Sequence, residues 1–137
     1  MKYFPTLKVL FIACLASSLL CCNEIVDDPN NNNNTPEPTG NLQIFVRKDI
    51  ASGTYIGGAQ VFLYKSEVAR DANDVYKTTN TPSVDITTNG ALFNELVFQK
   101  YYLKATFNNS GKNYEGKGDS YCPVNKTTSY HIVCTEK

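Results

Sequence analysis

The sequence predicts an all-β fold, a seven-stranded Greek-key sandwich of immunoglobulin size, and three observations predict it. From Asn41 onward apolar and polar residues alternate with a period of two instead of 3.6. Clusters of Gly, Asn and Pro interrupt that alternation and leave seven or so short strand-like runs in residues 41–137. The only helix-compatible stretch, Lys65 to Asn73, is too short and polar to organise a core. A chain of 137 residues is one domain's length.

The first forty residues are read as export and tether, not fold. Lys2 and Lys8 precede an apolar run from Val9 to Leu20, which suits a signal-peptide core and falls short of the ~20 residues a spanning helix needs. Residues 1–21 are therefore read as a signal peptide. Residues 22–40 contain five consecutive asparagines (Asn30 to Asn34) and a Pro36-Glu37-Pro38 stretch, with no periodicity. Such a segment cannot bury enough apolar surface to offset its ordering entropy, which predicts a disordered tether.

Within residues 41–137 each strand is read from its own pattern. Leu42, Ile44 and Val46 alternate with Gln43, Phe45 and Arg47. Gly57-Gly58 marks a turn before Ala59 to Tyr64, in which Ala59, Val61 and Leu63 share a face. Val75 to Thr79 and Ser83 to Thr87 are β-branched runs separated by Asn80-Thr81-Pro82. Asn89-Gly90 is the strongest two-residue hairpin signal, leading into Ala91-Leu92-Phe93 and Leu96. In the next strand Tyr101, Leu103, Ala105 and Phe107 share one face, and Asn108 to Lys112 forms a turn. Two final strands are placed near residues 113–120 and 129–135.

Two resemblances extend this reading. Leu19-Leu20-Cys21-Cys22 resembles the lipobox of bacterial lipoproteins in its permissive, Bacteroidetes-type form. The resemblance implies acylation of Cys22, with Cys21 as the alternative and Cys14 ranked last because it would shorten the apolar core. It implies a lipid-anchored protein of the bacterial outer membrane, facing the periplasm or the cell surface; an ordinary secretory signal is the alternative. The acidic residues of the tether, Glu24, Asp27, Asp28 and Glu37, resemble surface-export signals, or act as a solvated spacer. Gly58-Ala59-Gln60-Val61, Thr87 to Leu96 and Tyr101-Tyr102-Leu103-Lys104-Ala105, in that order, resemble carboxypeptidase regulatory-like (transthyretin-like, prealbumin-like) domains and the B-type repeats of collagen-binding adhesins. These families imply an immunoglobulin-like sandwich and a spacer, stalk or binding role. Ala105 replaces the Glu of isopeptide-forming repeats and Tyr130 to Cys134 contains no Asn, so no isopeptide bond is expected.

Composition and candidate sites narrow the function. Thirteen basic residues balance thirteen acidic ones. The signal segment contributes +2, the tether −4 and the domain +2. No basic block marks a nucleic-acid binder, and a single His with no His/Cys cluster implies no metal and no cofactor. Cys122 and Cys134 are the domain's only cysteines, and an oxidising compartment predicts a disulfide between them, closing 11 residues for about 3 kcal/mol. A nucleophilic Cys122/His131 pair has no visible orienting group, so no catalytic residue and no enzyme is predicted. Tyr102, Lys104, Tyr114 and Lys117 are the candidate ligand face, suited to a glycan or an envelope protein; ordinary cross-strand pairing on a solvated face is the alternative. The leading expectation is a non-enzymatic, lipid-anchored envelope module, followed by a glycan- or host-binding adhesin-type module.

Overall fold

In the computed structural model, which describes residues 36–49 and 53–137, the first alternating run becomes β1 (Thr39–Lys48). The elements that follow are β2 (Thr54–Tyr55), β3 (Gln60–Tyr64), α1 (Glu67–Asp71), β4 (Lys77–Asn80), β5 (Ala91–Val97), β6 (Lys100–Asn109), β7 (Lys112–Tyr121) and β8 (Thr127–Glu136). β1 begins two residues ahead of the boundary read from the sequence. Gly40 explains why, since a Cβ there would lie 1.8 Å from the Pro123 carbonyl oxygen.

The strands form one sheet that curls into two layers. In the first, β1 pairs in parallel with β8 along one edge. Its other edge is shared by β5 along the first half and by β2 at the end, both antiparallel. One extra residue of β5 sits between the pairs Leu42↔Phe93 and Gly40↔Leu96. That bulge places Glu95 at φ +56, and its N–H donates to Asn41 Oδ1 at 3.3 Å. The second layer runs β4-β3-β6-β7, all antiparallel. The layers join where β7 meets β8 at Tyr114↔Glu136 and Glu115↔Thr135.

Gly116 and Gly118 make that junction possible. A Cβ on Gly116 would stand 2.4 Å from the Val133 carbonyl oxygen and 2.9 Å from Cys134 Sγ, and one on Gly118 would meet the Tyr130 ring at 2.7 Å. β8 therefore packs directly onto the β7 backbone. Between the layers Leu42, Ile44, Val46, Phe93, Leu96 and Ile132 face Val61, Leu63, Tyr101, Leu103 and Ala105, all buried. Of these, Leu42, Ile44, Val46, Val61, Leu63, Tyr101, Leu103 and Ala105 are the residues that the period-two alternation placed on shared faces; Phe93, Leu96 and Ile132 join them in the folded sheet.

Three expectations are corrected. Ser83 to Thr87 is a turn and not a strand: Asp85 takes φ +53 and its carbonyl accepts from the N–H groups of Thr88 (3.0 Å) and Asn89 (2.8 Å). This local wrapping overrides β-branched propensity. Asn89-Gly90 is not a hairpin turn, because β5 pairs with β1 and neither residue has positive φ. Gly90 serves close approach instead, a Cβ there lying 2.6 Å from the Ile44 carbonyl oxygen. The tight hairpin is Ser110-Gly111 between β6 and β7, where φ values of +54 and +79 meet the demand of a type I′ turn. The third correction is α1, which packs on the outer face of the second layer.

Candidate functional site

Residues directly opposed in an antiparallel pair share a face. Tyr102 opposes Asp119 and Tyr64, while Lys104 opposes Lys117 and Phe62. Tyr102, Lys104 and Lys117 therefore stand together on the outer face of the second layer, as the sequence predicts. Tyr114 does not. It opposes Phe107, stacks on that ring at 4.7 Å and 2° between planes, and is 7% exposed. The two-residue hairpin at Ser110-Gly111 fixes this register and turns Tyr114 inward.

α1 covers the half of the face that carries Tyr102 and Lys104. Ser66 caps it, its Oγ accepting from Ala69 N–H at 3.0 Å. The helix buries none of its own residues but shields the sheet beneath. The Arg70 guanidinium lies 5.6 Å from the Tyr102 ring, and Asp71 pairs with Lys117 at 3.5 Å. Just past the helix, Asn73 at φ +57 offers its Oδ1 to Tyr64 Oη (3.0 Å) and Lys104 Nζ (2.5 Å). Tyr64 is fully buried as a result. Lys100 closes the row by pairing with Asp119 at 2.9 Å, a hydrogen bond that raises its ammonium above the ordinary value.

The other half of the face is open. Gln60, Thr106 and Glu115 lie in register across β3, β6 and β7. With Asn108 and Asn113 they line a groove of ≈ 460 Å³, which Lys137 also borders. Asn108 Nδ2 donates to Asn113 Oδ1 (3.0 Å), and Lys137 Nζ to Glu115 Oε2 (3.1 Å). Among the described residues the Gln60 and Thr106 side chains have no such partner, so their polar groups point to solvent. The sequence reading missed this groove. Its signal was available in the alternation that placed Gln60 and Thr106 opposite the core residues Val61 and Ala105.

An aromatic cluster lies on the outer face of the first layer. Phe45 stacks on His131 (5.0 Å, 16°) and meets Tyr55 edge-on at 5.8 Å. The Arg47 guanidinium sits 4.4 Å from the Tyr55 ring and hydrogen-bonds its hydroxyl. Burial, then the Arg47 charge, lowers the His131 imidazole below its ordinary value.

The predicted Cys122–Cys134 disulfide is absent: both residues are free, buried thiols. β8 runs antiparallel to β7 with Cys134 against Gly116, midway along β7, whereas Cys122 follows its last residue. Six residues of strand, about 20 Å, separate the two positions, whereas bridged Cα atoms lie within about 7 Å. Cys122 Sγ lies 3.7 Å from the Leu96 carbonyl oxygen, and Cys134 Sγ 3.7 Å from that of Ala105. His131, facing out of the first layer, is not brought to Cys122. No group of three His, Cys, Asp or Glu side chains that could hold a metal occurs among the described residues. None of their helices is long and apolar enough to cross a membrane. Cys21 and Cys22, the signal peptide and tether residues 22–35 lie outside the described residues.

No family model and no curated protein sequence matches the chain. A solved structure does: GBS52, the minor pilin of the gram-positive pathogen Streptococcus agalactiae, superposes with a TM-score of 0.51 and 18% identity. The match covers 74% of this chain and 46% of the pilin, so the chain spans less than half of that protein's length. The fold is an immunoglobulin-like β-sandwich. At this identity the likeness shows the fold alone.

Proposed function

We propose that the chain is a non-enzymatic, lipid-anchored module of a bacterial envelope, acylated at Cys22 (or Cys21) and serving as a spacer, accessory or binding domain. Its partner would be an envelope protein or a glycan, at the outer membrane and on its periplasmic or outer side. One observation carries the non-enzymatic reading: on the half of the sheet face that α1 covers, the lysines, the aspartates and the Tyr64 hydroxyl are spent on neighbouring side chains. Asp71 holds Lys117, Asp119 holds Lys100, and Asn73 holds Tyr64 and Lys104. Groups so engaged brace a helix against a sheet. A minor pilin with this fold accords with a structural role at a cell surface. The anchor is tested by palmitate labelling. Label and membrane fractionation are expected for the parent chain and lost in Cys21→Ala/Cys22→Ala; a double variant that stays membrane-bound would overturn the anchor.

A second reading is favoured by the open groove. Amide, hydroxyl and carboxylate groups at Gln60, Thr106, Asn108, Asn113 and Glu115 match the hydrogen-bonding demands of a glycan, in a volume suited to one or two sugar units. A glycan array should then show binding that Gln60→Ala and Thr106→Ala weaken. Binding unchanged by both variants would place the ligand elsewhere.

A further inference from the structure

We propose that the end of the sandwich at which the chain enters β1 is a lipid-facing surface that rests on the membrane carrying the anchor; the inference builds on the lipid-anchor reading above. Three segments meet there: the start of β1, the Phe98-Gln99 turn between β5 and β6, and residues 122–126 between β7 and β8. Backbone hydrogen bonds tie them together, Asn125 N–H to Thr39 O (2.8 Å), Asn41 N–H to Lys126 O (2.8 Å) and Cys122 N–H to Gln99 O (3.0 Å). The register of β3 and β4 brings Tyr76, which precedes Lys77, to the same end.

Phe98 is 64% exposed, Tyr121 62% and Tyr76 40%. The other large exposed apolar side chains of the described residues, Val68, Val84 and Leu92, are aliphatic, so the exposed Phe and Tyr rings all gather at this end. The rings are held in place. Tyr76 stacks on Tyr101 at 6.2 Å, and Tyr101 Oη donates to the Val97 carbonyl beside Phe98. Lys65 and Lys77 lie over the Tyr76 ring at 4.3 and 5.7 Å, and Lys100 opposes Tyr121 across the strands. Aromatic rings flanked by long lysine side chains are the composition of a membrane–water interface, where each presents an apolar body and a polar tip. Asp74 and Asp119 cancel only part of the positive charge of Lys65, Lys77, Lys100 and Lys126 and leave this end weakly basic, so the attraction is chiefly apolar. The chain supplies the geometry. Sixteen residues separate Cys22 from Thr39, a leash of at most about 55 Å, and it joins the domain beside these rings.

The chain has no Trp, so Phe98→Trp introduces a lone fluorescent reporter, with Val84→Trp as the control in the turn beyond β4. The full acylated chain is reconstituted in vesicles of phosphatidylethanolamine and phosphatidylglycerol with brominated acyl chains. The expected result is blue-shifted, bromine-quenched emission for Phe98→Trp and unquenched emission for Val84→Trp. Vesicle-bound protein with both reporters unquenched would overturn the contact and leave the anchor standing. In the acyl-free Cys21→Ala/Cys22→Ala background, quenching of Phe98→Trp at high lipid supports the contact without the anchor. There Phe98→Ser/Tyr121→Ser should lower partitioning about tenfold, with little change on adding salt. A lipid-independent blue shift that grows with protein concentration would assign the rings to a second copy of the chain and overturn the proposal.

Discussion

Cys122 and Cys134 sit apart in the core, and burial pushes both thiols up, Cys134 to about 12. A thiol that holds its proton longer in the native state stabilises fully below its unfolded pKa of 9.0 and loses that contribution as pH rises toward 12. Stability should therefore fall between pH 9 and 12, by at most about 1.4 kcal/mol per pH unit for Cys134. Urea midpoints across that range measure the slope, and Cys134→Ala should flatten it. Neither thiol should react with iodoacetamide until the protein unfolds, and a reductant should leave the midpoint unchanged. His131, the chain's single histidine, titrates in the opposite sense. Its folded value lies below 6.5, so protonation below that pH opposes folding and stability declines as the solution is acidified. Its one pair of imidazole resonances should titrate below 6.5, and Arg47→Gln should recover part of the shift, because burial supplies the larger share.

The junction of β7 and β8 depends on two residues without side chains. Gly116→Ala drives a methyl into the Val133 carbonyl and should cost about 3 kcal/mol. Gly111→Ala, in open space at φ +79, should cost only the 1–2 kcal/mol, roughly, of left-handed backbone. Urea titration of both variants measures the difference. Asn73→Ala removes the acceptor shared by Tyr64 and Lys104 and should speed amide exchange in α1, with a loss of about 1–2 kcal/mol. Alternation made β1, β3 and β6 legible in the sequence, since each buries one face, while β5, β7 and β8 were legible only in approximate position. Ser83 to Thr87 misled because β-branched residues suit a strand only where a partner strand exists, and none lies beside them. Tyr114 misled because sequence proximity to Tyr102 says nothing of parity. Counting back from Ser110-Gly111 as the hairpin would have set it opposite Phe107, on the inner face. Cys134 is parted from Cys122 by the separate β7–β8 register, Glu115↔Thr135, which that hairpin does not set. The role of α1 was not legible at all: its anchors are single side chains on β3, β6 and β7 that only the folded sheet collects.

Across the whole molecule the first and last strands are neighbours, β1 opposing β8 over residues 86 apart in sequence, as at Asn41 and Thr127. Pairings of such long range make loop closure expensive before any contact compensates, so refolding should take milliseconds to seconds in stopped-flow measurements. Ending the chain at Lys126 removes Ile132 and Cys134 from the core and leaves β1 with an open edge. Such a fragment should show no cooperative transition by circular dichroism. The parallel direction of β1 and β8 has a mechanical meaning as well. The chain comes into β1 at one end of the sandwich and leaves β8 at the other, so tension along it pulls the two strands past each other lengthwise. Eight registered residue pairs, Asn41↔Thr127 to Lys48↔Cys134, then bear load together and cannot be peeled open one at a time. A domain strung this way resists stretching in shear, the direction in which a β-ladder is stiffest.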